Sequence, residues 1–277
     1  MSCPCSLDGS YPFTLHLRPR PNPTNMKYTS LFALCLLALT FTACEDDEDP
    51  FAATDTEFTL TFRSEYDAQP LAIQSATYDY PGGNQLKMLL FQYYVSDLSL
   101  LPADGGDAVR LSEIELIQYM SATGDADEAR TYTAPLGSYS GIQFGLGVKP
   151  ELNALAPSNF SANDPLNENE FWNDRARYVF AKIEANLDLE PDGLFDESLT
   201  LHMGSNDLYR TVTLNQPFTL RPGGEELTIV ADVLQAMGGT AAPYNIDEPA
   251  NRRVHGGNQA TAAAVFSGLA GAFTLRD

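Results

Sequence analysis

Residues 178–189 read YVFAKIEANLDL, and their apolar side chains recur at every second position: Val179, Ala181, Ile183, Ala185, Leu187 and Leu189. An extended chain points successive side chains to opposite sides, so this spacing predicts a strand with one buried face. Phe58, Leu60 and Phe62 alternate with polar residues in the same way. Met88 to Leu101 is apolar at both parities, as expected of a strand covered on both sides. Further strands are predicted at Val109 to Tyr119, Tyr139 to Val148, Leu199 to Met203, Tyr209 to Leu214 and Leu227 to Leu234. Pro81-Gly82-Gly83, Asp104-Gly105-Gly106, Asp192-Gly193 and Pro222-Gly223-Gly224 supply turns between them.

About eight to ten short strands with few helical patterns predict an all-β class, an antiparallel β-sandwich-like single domain with long loops and little helix. The domain is expected over residues 56–277. Two stretches depart from the strand pattern: Lys149 to Asn169, irregular and rich in Asn and Pro, and Ala260 to Leu269, whose alanines suit a helix. A loop as long as the first is usually either functional or mobile.

The 277 residues carry 37 acids against 16 bases, a formal charge of −21. Phosphate backbones are bound through clustered Lys and Arg, and no such cluster is present, so no nucleic-acid partner is expected. From Met26 the chain reads MKYTSLFALCLLALTFTACEDDEDP. The apolar run Leu31 to Phe41 is far shorter than the roughly 20 residues that cross a bilayer, so residues 26–43 read as a signal peptide. Thr42 and Ala43 before Cys44 resemble a bacterial lipobox, although Phe41 stands where Leu is usual. Cys44 is then the lipidated first residue of the exported chain, and residues 1–25 are an N-terminal extension from a mis-assigned start. The acids Glu45 to Asp49 open an acidic tether over residues 44–55 and resemble the export signal of surface lipoproteins in the Bacteroidota. These features predict a cell-envelope protein held by a lipid anchor at Cys44, on the outer membrane, facing the periplasm or the surface. Beyond Cys44 the chain has no cysteine, which excludes a disulfide, a thiolate metal site and a Cys nucleophile.

Two histidines remain in the exported part, His202 and His255. In Leu199-Thr200-Leu201-His202-Met203-Gly204 the period of two places Leu199, Leu201 and Met203 on one face and His202 on the other. Spacing leaves open whether His202 is a surface side chain bonded to a neighbour or faces a second pocket. His255 precedes Gly256-Gly257. Distant histidines can converge in a sandwich, and soft d-block cations such as copper take imidazole, with Met203 or Met237 as thioether donors or as core packing. Hydrolase motifs are absent: Gly137-Ser138-Tyr139-Ser140-Gly141 has Tyr139 in the serine position of a nucleophile elbow. Asp188, Glu190, Asp192 and Gly193 begin like a calcium loop, but Leu199 stands where its bidentate Glu belongs. Glycan platforms use exposed aromatic faces, and Trp172 is the single Trp. No motif supports an enzyme.

Several segments together resemble the MbnP-like family of copper-associated periplasmic or lipid-anchored proteins. They are Phe91 to Leu98 (FQYYVSDL), Tyr139 to Asn153 (YSGIQFGLGVKPELN), Phe171-Trp172 with Tyr178 to Glu184, Leu201 to Gly204, and Val254 to Gly257 with the alanine-rich segment and Phe273. The Tyr139 to Asn153 stretch is the most specific. The resemblance implies a mostly β, exported domain with a histidine copper site. It also implies a tryptophan oxidised to kynurenine by a dihaem cytochrome c peroxidase-like partner. Carried over, His202 matches the His of a His-x-Gly motif, His255 the C-terminal His, and Trp172 the first of two Trp positions, the second being Asp174. Where relatives have a His before the glycine-rich segment, this chain has Glu115, a harder ligand than imidazole. The expected metal set is therefore His202 and His255, helped by Glu115 and Met203, with Trp172 as the oxidised residue. The alternative is a metal-free module that binds a glycan or a protein partner.

Overall fold

The computed structural model describes residues 54–120, 126–167, 170–255 and 260–277. The expectations for the extension, the signal peptide, Cys44 and most of the tether lie outside the described residues. No helix among the described residues is long and apolar enough to cross a membrane.

The expected strands form two large sheets. One is centred on Asp55–Tyr66. It pairs with Glu226–Asp232 on one side, beyond which lies Phe273–Arg276, and with Asp127–Pro135 and the short Gln69–Pro70 on the other. The second sheet is built on the 19-residue strand Asn84–Pro102. Ala181–Asp188 runs along the first half of this strand and Gly137–Leu146 along the second. The two part at Tyr94, whose N–H donates to the Phe180 carbonyl (2.9 Å) and whose carbonyl accepts from Gly147 N–H (2.8 Å). Beyond Ala181–Asp188 lie Glu197–Met203 and the edge strand Arg253–His255. Beyond Gly137–Leu146 lie Arg210–Leu214 and Phe218–Leu220.

The all-β, sandwich-like class holds, with one amendment to its pairing. Asp55–Tyr66 runs parallel to Glu226–Asp232, and Glu197–Met203 runs parallel to Arg253–His255. Period-two alternation reports which face of a strand is buried and is silent on the direction of its partner, so the sheets are mixed rather than antiparallel throughout.

The core lies between the inward faces. Phe273 meets Tyr93 and Phe144 edge-on, each with ring centroids 5.2 Å apart, and so ties the C-terminal strand to the other sheet. Tyr119 donates its hydroxyl to the Phe62 carbonyl at 2.8 Å, a second link between sheets. The alanine-rich segment is the helix Ala260–Gly271, buried through Ala262, Val265, Phe266 and Leu269. A Cβ at Gly268 would lie 2.4 Å from the Ala236 carbonyl oxygen, so a glycine lets this helix settle against the Val233–Ala236 turn.

The described part of the Lys149 to Asn169 stretch is a packed cover. It holds the helical turns Pro150–Asn153 and Pro157–Asn159, and Leu166 is fully buried. Tyr94 and Tyr178 donate their hydroxyls to the carbonyls of Pro165 (2.8 Å) and Leu166 (2.6 Å), pinning it to the sheet. The calcium-loop reading is replaced by a turn: the buried Asp188 carboxylate accepts the N–H groups of Asp192 (3.2 Å) and Gly193 (2.8 Å).

Burial of tyrosines makes stability fall in alkali. Desolvation pushes the Tyr178 and Tyr244 hydroxyls up to about 12, and those of Tyr66, Tyr80, Tyr93, Tyr94, Tyr119 and Tyr132 further still. In the unfolded chain they ionise near about 10. A folded pKa raised above the unfolded one contributes stability that is complete below about pH 10 and is lost as pH rises toward the folded values. Phenolate absorbance is expected to rise together with loss of β signal above about pH 10. Ionisation of every tyrosine near 10 in a chain that stays folded would contradict this packing.

Candidate functional site

The strand Glu197–Met203 buries Leu199, Leu201 and Met203 on the core side and turns His202 to the outer face. There His202 stands in one cross-strand row, Gln118, Gln92, Lys182, His202 and His255. The parallel ladder of the edge strand sets His255 directly beside it: the two imidazole centroids are 4.9 Å apart at 78°. Gly204 ends the strand where the 178–180 backbone crosses. A Cβ there would lie 2.3 Å from the Tyr178 carbonyl oxygen, while Phe180 N–H donates to the Met203 carbonyl at 2.7 Å. The glycine of the His-x-Gly motif is thus required by close backbone approach.

Trp172 reaches the pair from a small hairpin, Phe171–Asn173 against Arg177–Tyr178. Asn173 Oδ1 accepts the N–H groups of Arg175 and Ala176, both at 2.9 Å, and so makes the turn. Phe171 packs edge-on against the buried Tyr178, with centroids 5.1 Å apart. Its neighbour Trp172 points the other way, stacked on His255 at 5.4 Å and tilted to His202 at 5.9 Å. Three rings from distant parts of the chain therefore form one cluster, with Trp172 39% exposed as its outer wall.

Two supports hold the hairpin in place. Asn153 accepts Tyr178 N–H on its Oδ1 (3.2 Å) and Arg177 Nε–H on its carbonyl (2.8 Å), and donates Nδ2–H to Asn206 Oδ1 (2.8 Å). Asn153, the last residue of the most specific matching stretch, Tyr139 to Asn153, is thus scaffold for the cluster. At the other end, buried Glu170 is salt-bridged through Oε2 to Lys182 Nζ, in the row next to His202.

His202 Nε2 lies 2.6 Å from Glu184 Oε1. Burial holds this imidazole below its ordinary value, the bond to Glu184 opposes that, and the charges of Lys182 and His255 add to the lowering. That lowering favours the neutral ring. A carboxylate only accepts, so Nε2 carries the hydrogen and Nδ1 keeps a lone pair. Nδ1 is buried and has no hydrogen-bond partner among the described residues. An orphaned polar atom costs about 1–3 kcal/mol, and in native proteins it usually marks a water or an ion.

The residues fit a metal ion of low coordination number. An ion about 2 Å from one nitrogen of each ring sets the centroids roughly 4.5 to 6 Å apart, which includes the observed separation. Imidazole suits copper, and the Glu184–His202 contact matches the carboxylate that commonly backs a metal-binding histidine. A closed multi-ligand cage is not prearranged: among the described residues no group of three or more His, Cys, Asp or Glu is placed to hold a metal.

The structure brings His202, His255 and Trp172 together and leaves Glu115 and Met203 elsewhere. Glu115 is three residues from Gln118 along its strand and so faces the opposite side. There it accepts the Tyr132 hydroxyl (3.0 Å) and lies 3.6 Å from Arg130 Nε. Met203 is fully buried on the core side of its strand, and Met237 is also core. Glu184, Lys182 and Glu170 were not foreseen as site residues. The first two are the outward positions of the alternating stretch YVFAKIEANLDL, and any outward neighbour of an outward histidine was a candidate partner.

A family model described as MbnP matches residues 55–255, a span that includes Trp172, His202 and His255. Among solved structures, MbnP from Methylosinus trichosporium is similar, with 16% identity and a TM-score of 0.49 over 68% of this chain and 79% of that chain. No curated protein matches.

Proposed function

The chain belongs to the MbnP family, and from that premise we propose that it is an envelope lipoprotein that binds one metal ion, copper, through His202 and His255, without catalytic turnover. The observation that carries the proposal is the buried, unpartnered Nδ1 of His202 beside a second imidazole. His202 would supply a neutral nitrogen without giving up its bond to Glu184, and His255 the second. Copper, when bound, supplies a soft one-electron centre. Trp172 shields the pair from one side and is the residue that a dihaem cytochrome c peroxidase-like partner would oxidise, as the resemblance implies. The lipid anchor at Cys44 would hold the domain at the membrane.

Protein released from envelope membranes and titrated with Cu(I) under reducing conditions is expected to take up about one ion per chain by the affinity of two imidazoles. Mass spectrometry of the same sample is expected to find acylation at Cys44 and oxidation at Trp172. The His202→Ala/His255→Ala double variant should lose stoichiometric uptake. Unchanged affinity in that variant would sink the ligand assignment. A wild-type chain that takes up no copper would select the alternative, a metal-free module for a glycan or protein partner. The lack of a third prearranged ligand among the described residues favours that alternative.

A further inference from the structure

Resting on the metal-site reading above, we infer that Glu184 is a positioning residue that fixes His202 in its Nε2–H tautomer, so that Nδ1 is the only atom through which this ring can take a metal. The contact is short for an N–H···O bond, 2.6 Å, as charge-assisted bonds are. Glu184 sits on the neighbouring strand opposite Thr200, two residues from His202's own partner Lys182, so its carboxylate reaches His202 diagonally across the ladder. Its side chain is 29% exposed and that of His202 is 14% exposed, so the bond is partly shielded from competing water. Nothing else among the described residues bonds the ring, because Nδ1 has no partner. With Nε2 engaged and Nδ1 bare, the ring presents one lone pair.

The second consequence concerns strength. A carboxylate that accepts the far N–H of a ligating imidazole raises the basicity of the ligating nitrogen, and losing such a partner typically lowers metal affinity about 10–100-fold. Glu184 would thus tighten binding without touching the ion.

The test uses the exported chain from Cys44 labelled with nitrogen-15 at its two histidines, His202 and His255, with His255→Ala to assign the resonances. In the metal-free protein at neutral pH, the ring spectrum of His202 is expected to show a protonated Nε2 bearing a low-field N–H proton, and an unprotonated Nδ1. Glu184→Ala should abolish the low-field proton, and Glu184→Gln should move it upfield. A protonated Nδ1 in the wild type, or a low-field proton that survives in Glu184→Ala, overturns the inference. Cu(I) is diamagnetic, so addition of Cu(I) alone should move the Nδ1 resonance of His202, and a move at Nε2 with release of the Glu184 bond overturns it too. Cu(I) affinity is expected to fall about 10–100-fold in Glu184→Ala, and an unchanged affinity contradicts the tightening role. If the wild type takes up no Cu(I), the metal reading fails while the metal-free spectrum still decides the tautomer.

Discussion

Lys182→Ala is expected to destabilise the fold by about 3–5 kcal/mol and to loosen Trp172 from the histidine pair. The side chains of Lys182 and Glu170 are 16% and 7% exposed, so the alanine would leave a carboxylate buried without its cation. Relief comes if Glu170 takes up a proton or moves toward water. Because Glu170 immediately precedes Phe171–Asn173, that movement carries the hairpin with it. For a chain of this size each kcal/mol lowers the melting midpoint by about 2–4 °C, so a drop of about 6–20 °C is expected. Trp172 is the single Trp, so its emission reports this site alone and should shift to longer wavelength as its stacking on His255 is lost. Lys182→Met combined with Glu170→Gln removes both charges and should recover most of the stability. A Lys182→Ala protein with wild-type melting and wild-type emission would show that the ion pair holds nothing in place.

Phe180→Ala has the other large expected effect, about 3–5 kcal/mol. Phe180 is fully buried at the fork of the long strand, where its carbonyl accepts Tyr94 N–H and its own N–H donates to Met203. Its ring packs against Phe266 of the C-terminal helix at 6.4 Å between centroids. On its other side a Cβ at Gly147 would lie 2.5 Å from that ring, and Gly147 also has φ +97°, so nothing bulkier can move in to fill the space. The truncation therefore leaves a cavity that the glycine cannot relieve. Urea unfolding should show a lower midpoint at an unchanged slope, the mark of lost native stability. Phe180→Leu should cost less, because it keeps most of the volume. A Phe180→Ala midpoint equal to wild type would mean that this ring is not what joins helix to sheet.

The faces of the strands were legible in the sequence because alternation is a local property. Phe58, Leu60 and Phe62 are buried as read, and so are Val179, Ala181, Ile183, Ala185 and Leu187. The same rule turned His202 outward, where it bonds a neighbour, Glu184, and lies beside His255. Partner direction was not legible, since the two parallel ladders join segments far apart in the chain, and the ladder that aligns His202 with His255 is one of them. Glu115 failed as a helper because a residue type and a family position say nothing of parity, and its parity sends it to Tyr132 and Arg130. Met203 failed by the very alternation that placed His202 correctly. Glu184 was visible as an outward residue and went unread because carboxylates in so acidic a chain do not single themselves out.

The strict division of Glu197–Met203 into an inward and an outward set has an evolutionary consequence. Leu199, Leu201 and Met203 answer to the core, while Thr200 and His202 answer to whatever occupies the outer face. A change at His202 or His255 acts on the outer face and leaves the inward packing of Leu199, Leu201 and Met203 in place. Changes at the inward positions have no such freedom, and a slip of one residue in the ladder would bury His202 and expose Met203 together. Descent can therefore preserve this scaffold while its outer face is rewritten.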